Sequence, residues 1–132
     1  MIIMPLVVLP LPPDELRVNA SKGRHWGKIQ QAKDDYRLEA WPEIDAQRRE
    51  WEGVPVHWPT HLYLTAYLGK GQRVDPSDVG TWCKFALDLL VEAGAFPDDN
   101  ASRIRPFTVD VQRDARNPRI VFAWATGITA TT

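Results

Sequence analysis

Four carboxylates stand at the two ends of one amphipathic stretch, Asp75 and Asp78 before it and Asp98 and Asp99 beyond the Gly94 that follows it, with Lys84 inside. Carboxylates are the ligands of hard divalent cations, and Mg2+ needs only two or three of them because it keeps several of its waters. Beside a phosphodiester, such an ion neutralises charge on the phosphate and makes a water nucleophilic at neutral pH. The pattern can therefore hold a hard divalent cation, the kind of ion that phosphodiester hydrolysis uses.

The two ends can meet. A helix from Asp78 to Gly94 is on the order of 22 Å long, and five extended residues from Gly94 to Asp99 recover roughly 17 Å. Asp99 can return to Asp75 or Asp78 if the chain doubles back along the helix, so a shared metal is permitted without being required. Lys84 lies nearly two helical turns past Asp78, where it could meet a scissile phosphate, a partner subunit or solvent. Each residue also has a structural reading: Ser77 or Asp78 as a helix N-cap, Asp98-Asp99 after Pro97 as a turn, Lys84 as a solvated lysine. Spacing alone favours those readings and reaches no further than an α/β domain with room for a metal site.

The elements around the cluster follow from the periodicity. Ile2 to Leu9 is aliphatic and β-branched, the pattern of a strand buried on both faces, which Pro5 makes an edge or a broken strand. Asp14 to Gly23 is a polar loop. Arg24 to Ala40 carries Trp26, Ile29, Lys33, Tyr36 and Ala40 at helical spacing, with Trp26 in the core, and Pro42 stops it and opens a second helix, Glu43 to Trp51. Thr60 to Leu68 alternates strictly, a strand with Leu62, Leu64, Ala66 and Leu68 on one face. Gly69 to Arg73 is a flexible basic turn, and Val79 to Ala93 is the core helix, with Trp82, Phe85, Ala86, Leu89, Leu90 and Ala93 on its apolar face and Gly94 as its stop. Arg103 to Val111 and Pro118 to Ala125 are strands joined by a turn. The expected fold is one mixed α/β domain, residues 1–126, with a small mixed sheet of about four strands packed by two or three helices. Residues 127–132 form a Thr-rich flexible tail.

Composition limits the alternatives. A chain of 132 residues supports one ordinary core, and 44% hydrophobic with 25% charged residues is a globular balance. Net charge −1 names no partner, so nucleic-acid binding must rest on local basic surface and on metal charge. The single Cys83 excludes an internal disulfide and reads as a small buried hydrophobe in a reducing cytoplasm. The apolar start is broken by Pro5 and too short to cross a bilayer, so no membrane role is expected.

Three blocks along most of the chain resemble the RusA family of Holliday-junction resolvases, in particular its phage and actinobacterial members. Leu9-Pro10-Leu11-Pro12-Pro13 is similar to the family's opening strand and proline turn, and Asn19 with Arg24-His25-Trp26 resembles its N-x-R-x-H-W segment. The most specific block is Asp75-Pro76-Ser77-Asp78-Val79 with Lys84, Asp88, Gly94 and Asp98-Asp99, which resembles D-P-D-N-L, K, D-G-L, A-G and D-D in order and spacing. The resemblance implies a homodimeric, Mg2+-dependent endonuclease, with Mn2+ as a substitute, that nicks opposed strands of four-way DNA junctions during recombination. It places the protein in the cytoplasm, that of the bacterial host if phage-encoded. It carries metal-ligand roles onto Asp75 and Asp99 and the family lysine onto Lys84. The second aspartate of the family's D-x-D is Ser77 here, a weak neutral ligand, and Asp78 one residue later is its substitute. An alternative implied by that departure is a junction-binding protein that does not cut.

Under the resemblance, Asn19, Arg24, His25, Lys28, Lys33, Lys70 and Arg73 are the expected DNA-binding residues. From the sequence alone, Lys22, Arg113, Arg116 and Arg119 extend the same dispersed basic set. Interleaved with Asp34, Asp35, Glu39 and Asp114, these cations read, without the resemblance, as solvated faces. His25 lacks a second histidine to form a ligand pair.

Overall fold

A computed structural model describes residues 5–17, 26–53, 60–95 and 104–124. Strand β1 is Leu6–Leu9, helix α1 Trp26–Ala46, β2 Thr60–Leu68, α2 Pro76–Glu92, β3 Ile104–Arg113 and β4 Arg119–Trp124, with 3-10 turns at Asp14–Leu16 and Arg48–Glu50. The four strands form one mixed sheet in the order β1-β4-β2-β3. β2 runs parallel to β3 and antiparallel to β4, which is antiparallel to β1. The expected mixed α/β class, with two helices on a four-stranded sheet, is therefore what the chain adopts.

The strict alternation of β2 puts Leu62, Leu64, Ala66 and Leu68 into the core, and β4 does the same with Ile120, Phe122 and Trp124. α2 covers them with Val79, Trp82, Cys83, Ala86 and Leu90, all fully buried, and α1 adds Tyr36, Ala40 and Ile44. The proline-rich segment is tied to this core by two side chains. Tyr36 Oη donates to Pro10 O at 2.6 Å and Trp82 Nε1 to Pro13 O at 3.1 Å.

Several expectations are corrected. Pro42 does not stop the first helix, and no second helix runs to Trp51; α1 continues to Ala46, a 3-10 turn follows, and Trp51 is buried beyond it. Ile44 extends the buried row of Tyr36 and Ala40 by one more turn, and Pro42 lies about 200° around the helix from Ala40. Its missing N–H thus falls on the exposed side, where water can serve the carbonyl of exposed Leu38. Trp26 is 74% exposed rather than a core residue, because the buried row begins only at Ile29. β1 alternates rather than being buried on both faces: Val7 and Leu9 face inward and Leu6 is half exposed. It is an edge strand as Pro5 suggests, and Gln47 closes part of it, accepting from Val8 N at 2.7 Å and donating to Val8 O at 2.6 Å. Within the expected polar loop after β1, Leu16 is buried in its 3-10 turn.

At its far end α2 stops as its glycine suggests. Gly94 takes φ +93°, its N–H donates to Val91 O and that of Ala95 to Leu90 O, both at 3.0 Å, the paired bonds of a Schellman motif. Among the described residues no helix is long and apolar enough to cross a membrane. The expected tail, 127–132, lies outside the described residues.

Candidate functional site

β2, the turn after it, α2 and β3 make a βαβ unit, and in such units ligands gather outside the carboxyl ends of the parallel strands, at the N-terminus of the connecting helix. A cleft of about 310 Å³ lies there. Leu68 and Val111 from the strands line it together with Arg73, Val74, Asp75 and Asp78 from the start of α2, and with Arg17 and Arg113.

The helix start decides what its carboxylates are free to do. Asp75, not Ser77 or Asp78, is the N-cap, with Pro76 at the first helical position, which corrects the expected start at Val79. The Asp75 carbonyl accepts from Asp78 N at 2.8 Å and Val79 N at 3.2 Å. Its carboxylate, however, makes no capping bond. An aspartate at this position ordinarily turns its side chain back onto the first-turn N–H groups. Here the residue instead lines the cleft together with Asp78.

The turn that carries Asp75 is held by hydrogen bonds, so the expected flexible turn is a braced one. Gln72 N donates to Gly69 O at 3.3 Å, Gln72 Oε1 accepts from Gly69 N at 2.6 Å, and Gly71 supplies the φ of +79° between them. Arg113, the last residue of β3, forks onto the same turn, Nη1 to Gly69 O and Nη2 to Gln72 O, each at 2.7 Å. Arg17 Nη2 donates to the next carbonyl, Arg73 O, at 2.6 Å. The β3–β4 connection crosses the end of β2 at this point, with Asp114 N donating to Leu68 O at 2.9 Å. A Cβ on Gly69 would meet Pro118 Cγ at 3.1 Å and Gln72 Oε1 at 3.2 Å, so the glycine lets that crossing pack closely.

Charge in the cleft is unpaired across it. Arg17 leans toward Asp14, 3.9 Å away, yet no ion pair joins Asp75 or Asp78 to Arg17, Arg73 or Arg113. The carboxylates are left for a cation and the guanidiniums for an anion. Among the described residues no group of three or more His, Cys, Asp or Glu is gathered to hold a metal. Two carboxylates in one open cleft nevertheless fit a hard cation that keeps its waters.

The remaining expected residues are dispersed. Lys84 lies outside the cleft lining, and its Nζ meets Asp88 Oδ1, one turn along α2, at 3.0 Å, both side chains half exposed. Lys33 sits on α1 with its Nζ 5.1 Å over the Phe85 ring, beside a groove of about 240 Å³ between the helices. Arg37 lines that groove too and pairs with Glu92, whose carboxyl it holds below the usual range. Lys28 lines a different groove with Pro13 and Glu15. Lys70 is exposed at the tip of the braced turn, and among the described residues of the expected DNA-binding set only Arg73 lines the carboxylate cleft. Asn19, Arg24, His25, Asp98 and Asp99 lie outside the described residues, as does the side chain of Ser77.

Sequence reasoning did not single out Arg17, and it placed Arg113 only in a dispersed set. Arg17 follows a polar 3-10 turn and Arg113 ends a strand, positions that read locally as solvated. No protein-family model matches the chain, and no curated protein matches it.

Proposed function

We propose that this chain is a metal-dependent endodeoxyribonuclease that resolves four-way DNA junctions by paired nicks, as its resemblance to RusA-like resolvases implies. The observation that carries the reading is the pair Asp75 and Asp78, an N-cap carboxylate that does not cap and its neighbour one turn on, facing arginines they do not neutralise at the carboxyl ends of two parallel strands. In this proposal Asp75 and Asp78 hold Mg2+ or Mn2+ together with Asp99. The bound ion would supply charge neutralisation at the phosphate and a more acidic water. The protein's own part is positional: the Gln72, Arg17 and Arg113 bonds fix the turn that leads to Asp75. Lys84, on the helix surface, belongs to a partner contact or a distal phosphate. Homodimeric assembly and a cytoplasmic location are part of the same proposal.

A second reading, junction binding without cleavage, is favoured by Ser77, which stands where the family's pattern has an aspartate. The test is cleavage of a labelled four-way junction beside a linear duplex of the same sequence, with Mg2+ and with EDTA, alongside Asp99→Asn and Ser77→Asp. Symmetrical metal-dependent nicks, lost in Asp99→Asn and little changed in Ser77→Asp, are expected. Junction-selective binding without nicks, with cutting gained in Ser77→Asp, would establish the second reading instead. Cleavage that persists in EDTA would remove the metal site altogether.

A further inference from the structure

We infer that Arg17, Arg73 and Arg113 form an oxyanion cradle for a backbone phosphate of DNA, set in the same cleft as Asp75 and Asp78; as a DNA site it rests on the nucleic-acid reading above. Three guanidiniums and two carboxylates share one cleft wall to wall. Side chains this long would ordinarily swing onto neighbouring carboxylates. Arg17 and Arg113 are instead fastened to consecutive backbone carbonyls, Arg73 O and Gln72 O, and although Arg17 also stands 3.9 Å from Asp14, none of the three pairs with Asp75 or Asp78.

Donor counting shows what is left over. A guanidinium carries five N–H donors in a rigid fork. Arg17 gives one of them to Arg73 O, and Arg113 gives two to the turn. The Arg73 side chain makes no hydrogen bond or ion pair among the described residues, while its own carbonyl is the one Arg17 holds. The clamps thus do two things at once. They brace the turn, and they keep two positive charges at the one cleft, an arrangement that an anion relieves. Arginine matches phosphate oxygens in bidentate geometry, which makes a phosphodiester the fitting anion.

A purely structural clamp is the competing account, and charge separates the two. Neutralising one phosphate contact lowers the slope of log K against log salt by about one. A clamp that only shapes the turn changes affinity without changing that slope. The experiment is junction binding by fluorescence anisotropy in EDTA, where cleavage plays no part, across a salt series. Arg73→Gln, Arg113→Gln, Arg113→Lys and, as an exposed control on the Arg48–Glu50 turn, Arg49→Gln are compared with the unaltered chain.

Arg73→Gln and Arg113→Gln are each expected to weaken binding about tenfold and lower the slope by about one, while Arg113→Lys keeps the slope and Arg49→Gln matches the unaltered chain. Inorganic phosphate is expected to shift the amide resonances of Gly69, Gln72 and Asp75 in the unaltered chain and less so in Arg73→Gln, which leaves both clamps in place should Arg113→Gln unfold. Slopes in Arg73→Gln and Arg113→Gln equal to the control's, with those amides still, would overturn the cradle even if Mg2+-dependent cleavage persists. Lowered slopes without any cleavage in Mg2+ would support the cradle and remove the nuclease reading alone. A chain that binds neither junction nor phosphate would overturn the cradle.

Discussion

Replacing Asp75 separates a structural carboxylate from a functional one. Asparagine and aspartate are equally good N-caps, whereas alanine is poor, and the loss of a cap ordinarily costs about 1 kcal/mol, within roughly 0.5–2. Asp75 makes no side-chain capping bond. Asp75→Ala and Asp75→Asn should therefore be equally stable, to within about 0.3 kcal/mol, the residual expected where a side chain contributes no cap. Both lose a negative charge at a helix N-terminus, which is worth about 0.3–1 kcal/mol, so each should fall below the unaltered chain by that amount. The difference between the two variants cancels the charge and isolates the cap. Urea unfolding followed by tryptophan fluorescence gives it directly, and in a chain of this size a 1 kcal/mol gap would also appear as a difference of about 3 to 5 °C in Tm. An alanine variant about 1 kcal/mol less stable than the asparagine variant would show that the carboxylate caps the helix in solution. The cleft would then lose one of its two carboxylates, and the proposed metal site would fall with it.

Two further outcomes follow from the packing. Gln47→Ala removes both bonds that side chain makes to the backbone of Val8 and leaves a half-buried N–H and C=O of the edge strand unserved. It should cost about 1–3 kcal/mol and speed amide exchange in β1 before the rest of the sheet. Burial pushes the Cys83 thiol from about 9 up to about 12, and desolvation raises Tyr36 above its ordinary value as well. A group whose folded pKa is raised keeps its stabilising effect below the unfolded pKa and loses it as pH climbs towards the folded one. Stability should therefore decline from about pH 9 towards 12, less steeply in Cys83→Ala, and native Cys83 should resist thiol reagents at pH 8; a thiol that reacts at once would contradict its burial.

What was legible in the chain was whatever short-range periodicity controls. The alternation from Leu62 to Leu68 placed β2 and its inward face, and Gly94 placed the end of α2, because a residue's neighbours two to four positions away decide both. Pro42 was misread because a proline's cost depends on which side of the helix it occupies, and only the packing of Ala40 and Ile44 against the core fixes that side. Asp75 and Asp78 were visible as chemistry from their types alone. Their setting was not, since Arg17 reaches the cleft across 56 positions of sequence and Arg113 across 41, both through backbone carbonyls that carry no sequence signature. Side chains that recognise carbonyls leave no complementary residue to look for, unlike an Asp–Arg pair. The same feature leaves the cleft's charges open: because these arginines are satisfied by backbone, the carboxylates beside them remain available to a cation and their spare N–H groups to a phosphate.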